Sequence, residues 1–323
     1  MRRQIAAVTL FLLAATTPSF AEELRGSWAA KLQKDPSKVH VQLHYERSNH
    51  GNTMPLASFT GLTSAQMNAA TSTPVQFGLK REAGSVAFDG AFKNGHGGGE
   101  FVFTPNEAYY QTIQNLGVPL GKFERKRERV ETLFSLALLD VSTAFIRSMI
   151  AEGYRVDLDD YMSMRIFDVT PELIREMRAL GYNLSAEKLV ETQVHKVTPE
   201  YIRAMRASGW GDLPLDDLVS SRIHKVTPEF SAEMKAAGYR LDFDDLTAFR
   251  IHGVTTEFIR ELRALGYTKV DADDLVAMRI HRVTPQFIRE LREAGYEGVP
   301  VDKLVSMRIH GVDAAMVKKM NKK

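Results

Sequence analysis

The chain has 323 residues, of which 44% are hydrophobic and 25% charged, with a formal net charge of +2 and no cysteine. That is the composition of a folded chain long enough for two ordinary domains. Without cysteine, a disulfide framework, a thiol nucleophile, a thiolate metal site and a lipidated N-terminal cysteine are all excluded.

Arg2 and Arg3 precede an apolar run from Ile5 to Ala15, and Ser19-Phe20-Ala21 supplies small residues at cleavage positions. The pattern predicts a secretory signal peptide over 1–21, cut after Ala21, and a periplasmic or secreted destination. The run is shorter than the ~20 residues a membrane span needs, and no other stretch approaches that length, so no membrane insertion is expected after removal of the signal. Losing Arg2 and Arg3 leaves 40 basic residues against 40 acidic ones. A formally neutral mature chain gives no reason to expect nucleic acid as a partner. An exported protein without disulfides is held by packing alone, which suits a chain of this length.

Residues 22–121 read as antiparallel β structure. Val39, Val41, Leu43 and Tyr45 alternate with His40, Gln42, His44 and Glu46, the period-two pattern of a strand with one buried face. Further strands are expected over Pro74–Arg81 and Ser85–Phe92, and another at Phe101-Val102-Phe103. The intervening Asn94-Gly95-His96-Gly97-Gly98-Gly99 predicts a hairpin turn. It lacks the Lys-Ser/Thr of a phosphate loop and opens no helix. His40 and His44 lie on one strand face about 13 Å apart, too far to chelate one ion. A short helix is expected from Thr63 through Ser64-Ala65-Gln66-Met67. Thr104-Pro105 is read as the start of a helix running through Tyr109, Tyr110 and Ile113 to Leu116-Gly117. Residues 122–130, with Lys122, Arg125, Lys126, Arg127 and Arg129 among Glu124 and Glu128, read as a solvated basic linker.

Residues 131–323 repeat. Val141, Val169, Val197, Val226, Val254, Val283 and Val312 recur every 28 or 29 residues. After each anchor comes a helix start: Thr170, Thr198, Thr227, Thr255 and Thr284 as caps, with Pro171, Pro199, Pro228 and Pro285 behind four of them. Twelve residues after the first six anchors comes glycine (Gly153, Gly181, Gly209, Gly238, Gly266, Gly295), the residue suited to a left-handed helix stop, and then an aromatic. A second helix is expected from acidic starts such as Asp244-Asp245 and Asp273-Asp274, through Leu275, Val276, Met278 and Ile280, to Arg-Ile-His. The predicted fold is therefore α+β: a small antiparallel β domain capping an α-helical repeat solenoid with two helices per 28–29-residue repeat. Met316 to Lys323 is expected to form a polar closing helix, since terminal repeats otherwise expose apolar faces.

One histidine per repeat forms a ladder: His195, His224, His252, His281 and His310. Leu139 and Phe167 fill that position in the first two repeats. Apolar replacement points to a partly buried structural slot. Equivalent points of stacked helices lie ~8–10 Å apart, too far to share a metal. The ladder is therefore read as structural, with no catalytic residue, no metal site and no cofactor. The arginines Arg165, Arg222, Arg250, Arg279 and Arg308 are expected to pair with the acids at the second-helix starts. Ser185-Ala186-Glu187-Lys188 matches a Ser-x-x-Lys enzyme motif, but Ser185 stands where Asp157, Asp242 and Asp271 stand, at a helix start, and so reads as a cap.

The unit from Arg250 to Tyr267, Arg-Ile-His-Gly-Val-Thr-Thr-Glu-Phe-Ile-Arg-Glu-Leu-Arg-Ala-Leu-Gly-Tyr, resembles a repeat of exported bacterial proteins of unassigned activity. Similar repeats are attached to β-lactam-sensor-type membrane metallopeptidases. Phe88-Asp89-Gly90-Ala91-Phe92-Lys93-Asn94-Gly95, with Phe101-Val102-Phe103-Thr104-Pro105, is similar to the domain that accompanies the repeats in the exported proteins. The resemblance implies architecture and compartment, and no activity, because the peptidases' zinc motif and membrane spans are missing from this sequence. The function expected is an exported, non-enzymatic scaffold or interaction module whose solenoid surface takes a protein or peptide. The alternative is an envelope sensor holding a small ligand or metal near the junction of β domain and repeats.

Overall fold

The computed structural model describes residues 22–120, 126–313 and 316–317. The expected signal peptide, the 122–125 part of the basic stretch and nearly all of the expected closing helix lie outside them. The fold is α+β: an antiparallel sheet followed by paired helices. The chain divides into two compact units at Ile166/Phe167. The boundary thus falls inside the repeat array and not at the basic stretch.

In the first unit, β1 (Leu24–Leu32), β2 (Lys38–Tyr45), β3 (Ser48–Pro55), β4 (Phe59–Thr60), β5 (Thr73–Arg81), β6 (Gly84–Lys93) and β7 (His96–Pro105) form one sheet in the order β3-β2-β1-β7-β6-β5-β4. All pairs are antiparallel. The alternation read in β2 holds, since Val39, Val41, Leu43 and Tyr45 are all buried. The β6–β7 hairpin turns at Asn94 and Gly95, both with positive φ (49° and 79°), as the Asn-Gly signal requires. Gly97, Gly98 and Gly99 continue into β7. Gly99 faces Gly90 across the ladder, and a Cβ on Gly90 would sit 2.2 Å from the Gly98 carbonyl oxygen and 2.8 Å from the Trp28 indole. The glycines are thus a seat for Trp28, whose Nε1 donates to the Asp89 carbonyl at 3.1 Å. Phe77, Phe88 and Phe92 close around the same ring, and Phe77 stacks on Phe88 at 4.5 Å.

Helix α1 (Ser64–Met67) follows Thr63, whose side chain accepts from the Gln66 amide while Gln66 bonds back, a capping box. Helix α2 (Glu107–Asn115) starts two residues later than Thr104-Pro105 suggested. Pro105 is the last residue of β7, and Asn106 caps the helix by accepting from the Ala108 amide.

The basic stretch is not all linker. Helix α3 begins at Lys126 and runs to Leu139, and Val130 is fully buried. Arg127 pairs with Glu46 at 2.9 Å and with Glu131 at 3.2 Å, and Arg129 with Glu107 at 3.2 Å. Alternating charge there is a helix surface laid against its own unit. Phe134 of α3 stacks on Phe101 of the sheet, centroids 5.5 Å apart, and packs on Phe103 and Tyr45. Within this unit the sheet therefore covers the apolar side of the first array helix. Helices α4 (Thr143–Ala151) and α5 (Leu158–Ile166) complete the unit. Glu82, at the β5–β6 turn, accepts from the Thr143 amide at the start of α4. Tyr109 donates its hydroxyl to the Val141 carbonyl at 2.5 Å, and burial pushes that hydroxyl's pKa well above its usual value.

The second unit holds α6 (Pro171–Ala179), α7 (Ala186–Val194), α8 (Pro199–Met205), α9 (Leu215–His224), α10 (Pro228–Ala236), α11 (Phe243–His252), α12 (Thr256–Ala264), α13 (Ala272–Ile280), α14 (Pro285–Glu293) and α15 (Val301–Ile309). Two helices per repeat are thus observed, as the period predicted. Thr170, Thr198, Thr227, Thr255 and Thr284 each accept from the amide three residues on. The anchors Val169, Val197, Val226, Val254 and Val283 are all buried. Gly181 shows how first helices stop: at φ +92° its amide donates to Arg178 O, and the Tyr182 amide donates to Met177 O, a Schellman ending. First helices pack on first helices (α6 on α8, α12 on α14). Second helices pack on second helices (α9 on α11, α11 on α13, α13 on α15).

Candidate interaction surface

Second helices α9, α11, α13 and α15 are each acidic at one end and basic at the other. The first turns carry Asp216 and Asp217 in α9, Asp244 and Asp245 in α11, Asp273 and Asp274 in α13, and Asp302 in α15. Burial, and then the neighbouring Asp244, push the Asp217 carboxyl above its ordinary pKa. Burial with Asp242, Asp273 and Asp244 does the same for Asp245. At the other end, the four residues before each anchor are Gln-Val-His-Lys, Arg-Ile-His-Lys, Arg-Ile-His-Gly, Arg-Ile-His-Arg and Arg-Ile-His-Gly. They hold seven Lys and Arg residues, the five ladder histidines and no acid. Such polarity matches the helix dipole, which favours acids at the start and cations at the end.

The arginines at this edge do not pair with the second-helix acids, contrary to the sequence-based expectation. Arg222 donates from Nε and Nη2 to the Lys196 carbonyl at 2.9 and 2.6 Å, and Arg279 donates to the His252 carbonyl at 3.2 Å. Each thus satisfies the end of the preceding second helix. Each ladder arginine also lies over an aromatic of its own repeat: Arg222 over Tyr201 at 3.8 Å, Arg250 over Phe230 at 3.6 Å, Arg279 over Phe258 at 5.1 Å, Arg308 over Phe287 at 5.1 Å. The first unit follows the same rule, with Arg165 over Phe145 at 5.4 Å and its Nε donating to the Leu139 carbonyl, though there it also pairs with Asp140 at 3.6 Å. A parallel set binds the first helices: Arg206 donates to Leu180 O, Arg263 to Ala237 O and Arg292 to Leu265 O. Three of the tyrosines after stop glycines tie repeats together, Tyr182 donating to Leu213 O, Tyr239 to Val270 O and Tyr267 to Val299 O.

The ladder histidines all stand at second-helix ends. His195, His224, His252 and His281 are half-buried, and His310 is exposed. The Nδ1 of His310 lies 2.8 Å from the Ser306 carbonyl of its own helix. Among the described residues, no group of three His, Cys, Asp or Glu side chains is arranged to hold a metal.

One apolar position of the repeat is exposed: Ile280 is 51% exposed, and its equivalents Val194, Ile223, Ile251 and Ile309 are 48%, 52%, 54% and 56% exposed. These residues stand next to the ladder histidines in sequence. A scattered surface aliphatic needs no explanation. Five at one repeat position form a stripe. The signal in the sequence is an apolar residue recurring two positions beyond the last buried one, Met278 in α13 and Phe249 in α11.

Two other places were inspected for chemistry. An open depression of 650 Å³ on the sheet is lined in part by Gln76, Asp89 and Glu100. Asp89 faces Glu100 directly, and Gln76 donates to Asp89 at 2.7 Å. Where β2, β3 and α3 meet, Tyr45 stacks on His50 at 5.5 Å, and its hydroxyl lies 3.3 Å from His50 Nε2. Burial lowers the His50 pKa, and Glu131 opposes that. Glu131 itself is paired with Arg127. Among the described residues no single helix is long and apolar enough to cross a membrane.

No family model, no curated protein and no solved structure matches the chain.

Proposed function

We propose that the repeat array is a non-enzymatic docking surface for a protein or peptide, acting outside the cytoplasm as the N-terminal signal pattern implies. The observation that carries this reading is the stripe of half-exposed aliphatic residues, one per repeat, at second-helix ends whose last four residues before the anchors hold seven Lys and Arg residues. Dipole compensation explains the charges. It does not explain an isoleucine or valine held at the surface in five successive repeats.

The energetics set the kind of partner. Covering the exposed half of one Ile is worth about 1 kcal/mol, so five give about 5 kcal/mol. That is comparable with the ~4–15 kcal/mol lost in association. The stripe alone binds weakly, and a partner that also meets the cations binds well.

The test compares the full chain with an Ile223→Ser/Ile251→Ser/Ile280→Ser variant of unchanged thermal stability, as baits in envelope extract at several salt concentrations. The reading expects partners that the wild type retains and the variant loses. Equal recovery by both, or recovery by neither, overturns it.

A further inference from the structure

The ladder's spacing and chemistry narrow the partner, on the assumption that the docking reading above is right. Second helices α9, α11, α13 and α15 pack one on the next, and packed helices lie ~8–10 Å apart. Ile223, Ile251, Ile280 and Ile309 therefore recur at about that interval. A partner lying along the row must present apolar groups at the same interval. A β-strand offers same-face side chains every ~6.7 Å or ~13 Å, and both miss it. A polyproline II helix has three residues per turn and rises ~3.1 Å per residue, so every third side chain returns at about 9.3 Å. An α-helix reaches about 10.5 Å only at every seventh residue, at the upper margin of the interval.

Hydrogen bonding separates the last two. The edge is rich in donors, with Lys196, Lys225 and Arg282 exposed at the links between repeats. A polyproline II backbone makes no internal hydrogen bonds and leaves its carbonyls as acceptors. An α-helix has spent its carbonyls on itself. Glu200, Glu229 and Glu257 stand at the neighbouring first-helix starts, but the exposed link cations Lys196, Lys225 and Arg282 make no ion pair among the described residues, and they call for negative charge on the partner.

We infer that the array binds an acidic, proline-rich segment of another protein in the polyproline II conformation, with an aliphatic residue at every third position seated on the ladder Ile223–Ile251–Ile280–Ile309. The segment runs across the second-helix ends, and carboxylates between its apolar residues face the link cations. Four steps of the full five-rung row, Val194 included, need about 13 residues at ~3.1 Å each.

The probe is a fluorescein-labelled 15-residue peptide of five Glu-Pro-Leu triplets, titrated with the full chain and read by anisotropy. The proposal expects saturable binding that weakens at least tenfold in Ile251→Ser/Ile280→Ser. It also expects a shallower salt dependence in Lys225→Gln/Arg282→Gln. A Lys-Pro-Leu peptide and an alternating Glu-Leu peptide should bind at least tenfold more weakly. Thermal melts of each variant confirm folding, and the mutated side chains are surface ones. If the alternating peptide matches the triplet peptide, the inference is overturned. If instead a helical peptide with leucine at every seventh position, or phosphatidylglycerol vesicles, bind in an Ile251- and Ile280-dependent way while the triplet peptide does not, the inference falls and the ladder remains a docking surface. If no probe depends on Ile251 and Ile280, the inference and the docking reading fall together.

Discussion

The guanidinium of Arg222 sits 3.8 Å from the centre of the Tyr201 ring while its Nε and Nη2 both donate to the Lys196 carbonyl. One side chain thus joins the two helices of its own repeat and caps the helix before it. The ring is held in turn by the Tyr201 hydroxyl, 2.6 Å from the buried Ser221 Oγ. Lysine cannot reproduce a planar fork stacked on a ring. Arg222→Lys should therefore cost about 1–2 kcal/mol in urea unfolding, of which the stacking share is about 0.5–1 kcal/mol because the site is exposed. A double-mutant cycle with Tyr201→Leu checks the coupling. Additive losses would show that the contact in the fold contributes no energy of its own.

The repeat was legible because its punctuation is local chemistry. Thr170, Thr198, Thr227, Thr255 and Thr284 cap the helices where the Thr-Pro spacing put them, and the stop glycines take the left-handed backbone. The paired helices and the α+β class followed from that. Strand β3 was missed since it is an edge strand with only Met54 buried, so no apolar alternation marks it. Strand β1 was missed for a related reason: Leu24, Trp28 and Ala30 are buried, but Gly26 fills the inward position between Leu24 and Trp28 and Ala29 an outward one, which blurs the period. The start of α2 was misplaced because Thr104-Pro105 imitates the repeat while still pairing in β7. The arginine partners were beyond reach of the sequence. A backbone carbonyl 26 residues away leaves no mark in composition, whereas acids do, and acids drew the wrong pairing. The exposed ladder is hard to read from sequence, because packing decides which apolar positions of a helix face inward.

Gly181 has φ +92°, and a Cβ there would meet nothing within 4 Å. The effect of a substitution is therefore backbone strain without a clash. Gly181→Ala should destabilise by about 1–2 kcal/mol. Gly181→Asn should cost less, because asparagine enters the left-handed region more readily. Equal losses for the two, measured by denaturant titration, would mean that something other than φ governs this helix stop.

Lys225 is the converse case. It links α9 to the next anchor at φ 58°, a position that Gly253 and Gly311 fill in other repeats. Lys196 and Arg282 hold the same left-handed backbone at φ 57°. A side chain there costs about 1–2 kcal/mol, while glycine loses about 0.5–1 kcal/mol more backbone entropy on folding. Lys225→Gly should therefore stabilise the chain by about 0.5–1 kcal/mol. If the basic edge contacts an acidic partner, the same change should weaken capture of the Glu-Pro-Leu peptide. A variant that melts higher and binds less well would show that the strained cation is kept for binding. A variant that melts no higher would remove the argument from strain.

His50 makes the stability of the first unit depend on pH. Burial against Tyr45 and Phe134 disfavours the imidazolium, so the folded pKa lies below the ordinary 6.5 despite the opposing pull of Glu131. Between 6.5 and that lower folded value the unfolded chain binds the proton more tightly than the folded one. Stability is then fully present above 6.5 and is lost as the pH falls through that interval. His50→Phe keeps a flat ring beside Tyr45 and Phe134 and removes the titrating group. The wild type should lose thermal stability between pH 7 and pH 5 more steeply than His50→Phe, the other eight histidines being common to both chains. Nuclear magnetic resonance of the His50 ring proton gives the direct check. A midpoint at or above 6.5, or parallel melting curves for the two chains, would rule out burial as the dominant influence on this side chain.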